Sequence, residues 1–112
     1  DRAHQRSRSV RIEETHHRLK KDKPSGTALF LQNELSEVTG NDEIPEPLSI
    51  RGGGVIGNHR VSALSMEEEI VFEHKALSRA VFARGALIAA NWLIKKNAKA
   101  KLYQMSEVLF EL

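Results

Sequence analysis

Between Ser78 and Leu93 the chain carries a helix-forming segment with Phe82, Ala86, Ala89 and Leu93 on its main stripe and further apolar residues on the other faces. A helix apolar on nearly all sides has to be covered on nearly all sides, and no other feature restricts the fold as much. A thin single-layer sheet within one chain of 112 residues does this poorly, so additional chains or a further domain are expected to help. Ser78 is a good N-cap for this helix. The most apolar run, Ala80 to Ile94, is interrupted by Arg84 and Asn91 and falls short of the ~20 residues of a membrane helix. It predicts a buried core helix and no membrane partner.

The length corresponds to about one domain folding as one unit, large enough to bury roughly two-thirds of its unfolded surface. With 40% hydrophobic and 29% charged residues the composition is that of a soluble globular protein. The absence of cysteine rules out disulfides, thiolate zinc sites and thiol nucleophiles, and is compatible with a reducing cytoplasm. No apolar core follows the charges at the N-terminus, so no signal peptide is expected and the start is consistent with a cut. The net charge is only +2, with the basic excess ahead of Pro24, where it would attract an anion.

The remaining elements follow an α+β order. Residues 1–9 form a polar, Arg-rich lead (Arg2, Arg6, Arg8, with His4) that is expected to be frayed, and Val10 to Glu14 is a short strand candidate. After Ser25, Ala28, Leu31, Leu35 and Val38 recur at three and four residues, the spacing of one helical face, and Gly40 follows as a stop. Asn41 to Pro47 reads as a surface loop and Leu48 to Arg51 as a short extended piece. His59 to Ser65 and Glu69 to Ala76 read as a hairpin joined at Met66 to Glu68, with Ile70, Phe72 and His74 alternating against Val71, Glu73 and Lys75. Four strands and two main helices result. Lys95 to Lys101 is polar, and Leu102 to Leu112 is mixed and fits no element.

Gly52, Gly54 and Gly57 satisfy the G-x-G-x-x-G dinucleotide pattern. That fingerprint works only when its last glycine enters a helix whose N-terminus meets the pyrophosphate. Here Asn58 to Ser62 read as a strand, so the glycines predict a turn or bulge.

Glu14 to Ala28 is the segment with chemistry. Its two adjacent histidines can titrate near neutrality, Arg18, Lys20, Lys21 and Lys23 supply positive charge, and Pro24 precedes a Ser-Gly-Thr that opens the helix. A helix start leaves backbone N–H groups unpaired, Gly26 allows close approach, and Ser25 and Thr27 add hydroxyls. Ala28 supplies no capping-box side chain to compete for those donors. The bland reading of Ser25 is an N-cap; the functional one is a carboxylate site. His16 and His17, if still extended, point to opposite sides and cannot do the same job. Neighbouring strand positions do not easily chelate one ion and no third ligand is evident nearby, so no metal is expected. The bland reading of Lys20 is a solvated basic loop; the functional one is a proton donor. His59 and His74 lie in strand patterns and read as structural.

The run His16, His17, Arg18, Lys20, Asp22, Pro24, Ser25, Gly26, Thr27, Ala28 resembles the signature of the bacterial dihydrodipicolinate reductase family, also called 4-hydroxy-tetrahydrodipicolinate reductase. Gly57 with His59, then His74, Lys75, Ala76, Ser78, Arg79, Phe82, Ala83, Gly85, Ala86, Ala90, Trp92 and Leu93, and later Tyr103, Met105, Val108 and Leu109, are similar to that family's second half. The resemblance implies an oxidoreductase of lysine and diaminopimelate biosynthesis that uses NADPH or NADH to reduce a cyclic imine dicarboxylate in the cytoplasm. It implies His16 as the acid/base residue, Lys20 as the proton donor, and His17, Ser25, Gly26 and Thr27 as binders of substrate carboxylate. Arg79 is a further candidate. The implied fold is an open mixed β-sheet whose copies pack into a homotetramer, residues 10–112 forming the C-terminal domain of a two-domain reductase.

Two departures accompany the resemblance. The family places a nucleotide-binding Rossmann domain before the strand that leads into the histidines, and residues 1–9 do not resemble one, so the cofactor would be bound mainly outside this chain. Where the family has Arg-x-Gly-Asp, this chain has Arg51, Gly52, Gly53, Gly54, without the acid. Three functions compete: the substrate-binding half of the reductase, a catalytically silent oligomerisation domain, and, ranked last, a basic arm binding nucleic acid through the Arg-rich lead.

Overall fold

The computed structural model describes residues 9–40, 44–97 and 99–111. The Arg-rich lead lies outside the described residues except for Ser9, which opens the first strand. The chain divides into two compact units, Asp1–Leu77 and Ser78–Leu112.

In the first unit β1 (Ser9–His16) sits between β2 (Leu48–Arg51) and β3 (Gly57–Leu64), and β4 (Glu69–Ala76) lies beyond β3, giving the order β2-β1-β3-β4. β1 and β2 are parallel while β1/β3 and β3/β4 are antiparallel, so the expected open mixed sheet of four strands is present. A parallel pair needs a long crossover, and α1 (Gly26–Thr39) lies within it. β1 alternates as a half-buried strand should: Ile12, Glu14 and His16 are buried, and Arg11, Glu13 and Thr15 between them are not. Register places Val61 opposite Ile12 and His59 opposite Glu14, hence on the same face.

α1 begins where the sequence indicates. The Ser25 hydroxyl accepts the Ala28 N–H at 3.2 Å, and the helix ends at Gly40 in the left-handed region, φ 63°. Ile12, Ala28 and Ile44 form the buried cluster, with Val10, Leu31, Leu35 and Val61 packed against it. Ile44 corrects the surface-loop expectation for Asn41 to Pro47, of which 41–43 lie outside the described residues. Ile44 and Pro47 are both buried, and Gln32 Nε2 holds the loop by donating to the Ile44 and Pro45 carbonyls at 3.3 and 3.4 Å. The β3–β4 hairpin closes through Ser65, whose N–H reaches the Glu68 carbonyl at 2.9 Å.

The second unit holds α2 (Ala80–Lys96) and α3 (Met105–Leu109). Ser78 accepts the Ala80 N–H on its hydroxyl at 3.1 Å, but Arg79, itself helical in conformation, occupies the N-cap position, one residue later than expected. α3 falls in the segment that fitted no element, set by a capping box in which Gln104 and Glu107 satisfy each other's backbone N–H groups. Trp92 Nε1 donates to Glu111 at 2.8 Å, Lys96 pairs with Glu111 at 2.9 Å, and the Trp92 and Tyr103 rings meet edge to face at 5.3 Å. The expectation of a buried core helix fails at the level of one chain: no residue of α2 is buried, and Phe82, Leu87 and Ile94 are largely exposed. An all-round apolar pattern records that burial is needed, not which molecule supplies it. Among the described residues no helix is long and apolar enough to cross a membrane.

Candidate active site

The chemistry of the first unit is organised around a carboxylate. Glu14, two positions along β1 from Ile12, is fully buried, and a buried charge survives only if paired and hydrogen-bonded. Arg51, at the end of β2, supplies the pair: Nη1 contacts Glu14 Oε1 and Nη2 donates to Oε2 at 3.3 Å. The Ser25 backbone N–H donates to Oε2 at 2.9 Å. Burial pushes the Glu14 carboxyl up, but hydrogen bonds from Arg51 and Ser25 and the guanidinium charge outweigh it and lower the pKa from 4.5 to about 2. Arg51 is anchored in turn by the Ile50 carbonyl at 2.9 Å and the Asp22 carbonyl at 2.7 Å.

His16 lies on the same face of β1 as Glu14. Its Nδ1 stands 3.2 Å from Glu14 Oε2, out of line for a hydrogen bond, so the contact is ionic in character and strengthens when the ring is protonated. Burial lowers the His16 pKa below its ordinary 6.5; the Glu14 carboxylate opposes this, while Lys20 and Arg51 add to it. The ring packs on Gly57, where a Cβ would come within 3.1 Å of His16 Nε2. The last glycine of the apparent dinucleotide motif is therefore a space-maker for an imidazole, and it opens strand β3, as the strand-like residues after it indicated. His59, directly opposite Glu14 on β3, meets His16 edge to face at 5.1 Å, and its Nε2 lies 3.0 Å from the Ser25 hydroxyl. Burial lowers the His59 pKa, and the His16 ring acts in the same direction.

The basic loop folds back over this cluster. Arg18 N–H reaches the Gly53 carbonyl at 3.1 Å and Gly52 N–H the His16 carbonyl at 3.0 Å, with Gly53 at φ 49° and a cis peptide between Lys23 and Pro24. Lys20, placed among cations by the sequence, has the Asp22 carboxylate as its nearest ionic partner at 3.0 Å. His17 is half-buried and lies beyond the end of β1. At the head of α1, Gly26 and Thr27 are exposed, and helix geometry leaves their N–H groups without intrahelical partners. Both polar groups of Ser25 are already engaged, the N–H by Glu14 and the hydroxyl by Ala28 and His59.

Three residues of this cluster were not among the candidates read from the sequence. His59 was read as structural, and Glu14 and Arg51, 37 residues apart, carry no short-range signal; a lone acid on the inward face of an alternating strand was the only clue. The absence of a third ligand near the histidines is likewise corrected. Glu14, His16 and His59 bring donor atoms within 4.8 Å of one another. The carboxylate oxygens, however, already receive Arg51 and the Ser25 N–H, and a guanidinium beside a cation is repulsive, so this donor set suits a proton rather than a metal ion. Arg79 belongs to the second unit, where it precedes α2. That unit's shallow groove, about 580 Å³ and lined by Trp92, Lys96, Tyr103 and Glu107 among others, contains none of the expected site residues.

Residues 2–109 match the family model described as dihydrodipicolinate reductase, C-terminus. The chain is similar to 4-hydroxy-tetrahydrodipicolinate reductases of Bdellovibrio bacteriovorus (54% identical, covering 88% of this chain and 42% of that protein) and Anaplasma marginale (41% identical, 93% and 46%). It therefore spans less than half the length of these relatives. Its fold is similar to that of a dipicolinate-bound dihydrodipicolinate reductase from Paenisporosarcina sp. TG-14, with a TM-score of 0.67 at 24% identity over 78% of this chain and 40% of that one. On the strength of a family match along nearly its whole length, the chain belongs to the dihydrodipicolinate reductase family, of which it represents the C-terminal part.

Proposed function

We propose that the chain is the substrate-binding and catalytic half of a cytoplasmic 4-hydroxy-tetrahydrodipicolinate reductase, which reduces a cyclic imine dicarboxylate to tetrahydrodipicolinate in lysine and diaminopimelate biosynthesis. The observation that carries this reading is the junction of β1 and α1: a buried imidazole at His16 and exposed amides at Gly26 and Thr27, tied together through Glu14, which meets both His16 and the Ser25 N–H. Such amides suit a substrate carboxylate, and His17 would supply a further donor to it. Ser25 would contribute by shaping the helix head, since its own donors are engaged. His16 and Lys20 are the groups that would move a proton. NADPH or NADH is the hydride source such a reduction requires. The described residues offer no fitting cradle for it, because Gly57 leads into β3 rather than a helix.

Calorimetric titration of pyridine-2,6-dicarboxylate into the chain tests this proposal. Binding is expected, with affinity reduced roughly tenfold or more in His17→Ala and in Thr27→Ala, the loss of one hydrogen bond to a charged group. A folded chain that ignores the dicarboxylate would refute the reading. The exposed apolar residues of α2 support a second component, homo-oligomerisation. Sedimentation equilibrium should return a tetramer; a tetramer that binds no dicarboxylate would leave a silent oligomerisation domain.

A further inference from the structure

Four residues of the first unit form a closed circuit. His16 faces Glu14 at 3.2 Å, Glu14 accepts the Ser25 N–H at 2.9 Å, the Ser25 hydroxyl meets His59 Nε2 at 3.0 Å, and the His59 ring returns to His16 at 5.1 Å. Three of the four, His16, Glu14 and Ser25, are buried. The circuit joins β1, β3 and the head of α1. Arg51 pins it from outside, bridging Glu14 to the Asp22 carbonyl and so to the basic loop.

We propose that Glu14 is the positioning residue of this site: its single buried carboxylate holds the His16 ring and the helix head together, fixing the acid/base group at a set distance from the amides of Gly26 and Thr27. The proposal rests on the functional reading above and deepens it. Glu14 has no exposed surface with which to touch substrate, so it acts through its neighbours. Arg51 reaches both of its oxygens, and Oε2 in addition meets the Ser25 N–H and His16. A carboxylate at that spot favours the protonated imidazole, and protonation in turn draws Nδ1 toward Oε2. The charge state of His16 and the placement of α1 are thereby linked through one atom. The other groups acting on His16 are Arg51 on β2, Lys20 and Asp22 on the basic loop, and His59 on β3.

The test uses the whole 112-residue chain and two readouts: the NMR titration of the His16 ring and the affinity for pyridine-2,6-dicarboxylate. Glu14→Gln preserves shape and an acceptor for Ser25 but removes the charge. The His16 midpoint should fall below its wild-type value, and dicarboxylate affinity should drop at least tenfold. A role confined to stability would lower the unfolding temperature and move neither readout in the folded variant. Unchanged affinity would overturn the proposal even with a shifted midpoint, because Glu14 would then be only a neighbour of the ring. If Glu14→Gln does not fold, Glu14→Asp serves: the charge stays but retreats by one methylene, both readouts should move in the same directions, and their constancy would overturn the claim. The ring titration needs no ligand. A wild-type chain that binds no dicarboxylate therefore sinks the functional reading separately, and an unmoved His16 midpoint then sinks this one.

Discussion

The depressed pKa of Glu14 makes the fold acid-sensitive by an amount that can be worked out. Its carboxyl titrates at about 2 in the folded chain against an ordinary 4.5, a gap that corresponds to about 3 kcal/mol of stability at neutral pH. Because the folded value is the lower one, this stability is fully present above pH ~4.5 and is lost as pH falls toward ~2. At pH ~3 the unfolded carboxyl is mostly protonated and the folded one still ionised, so about 2 kcal/mol of the contribution is already gone. Urea unfolding followed by far-UV circular dichroism at pH ~7 and ~3 measures this in wild type and in Glu14→Gln. Other carboxylates titrate in both proteins and cancel in the comparison, whereas Glu14 is missing from one. Wild type should lose about 2 kcal/mol more than the variant between the two pH values. Equal losses would mean that Glu14 is not held ionised by Arg51 and Ser25, and the electrostatic account of the site would fall.

Gly57→Ala should displace the His16 ring, since the new Cβ would lie 3.1 Å from Nε2; a changed His16 ring shift in NMR, with the fold intact, checks this. Ser25→Ala removes the acceptor of the Ala28 N–H and the partner of His59, and should cost about 1 kcal/mol or somewhat more in urea unfolding. Ile12→Ala empties the centre of a small core in which Ile12 is only 1% exposed, and a loss of roughly 2–5 kcal/mol is expected in the same assay.

Local signals were legible wherever their cause is local. Ser25, Gly40 and the three-and-four spacing between them mark α1 because capping and helical periodicity act within a few residues. The strand character after Gly57 likewise argued against a dinucleotide loop. Leu102 to Leu112 remained unassigned because α3 is a five-residue helix, too short for periodicity to register. Ile44 was misplaced because its neighbours are turn-formers, while its own burial depends on Ile12 and Ala28.

The sequence by itself determined the order of the four strands and two main helices, the family, and a segment rich in imidazole and positive charge next to a helix start, all properties encoded in contiguous residues. Only the tertiary structure decided which of those groups meet. Strand register brings His59 opposite Glu14, the β1–β2 pairing delivers Arg51 to the same carboxylate, and Gly57 leaves the space that His16 fills. A buried charge must find its partners across the fold, because desolvation penalises it wherever it stands alone, and no local pattern names those partners in advance.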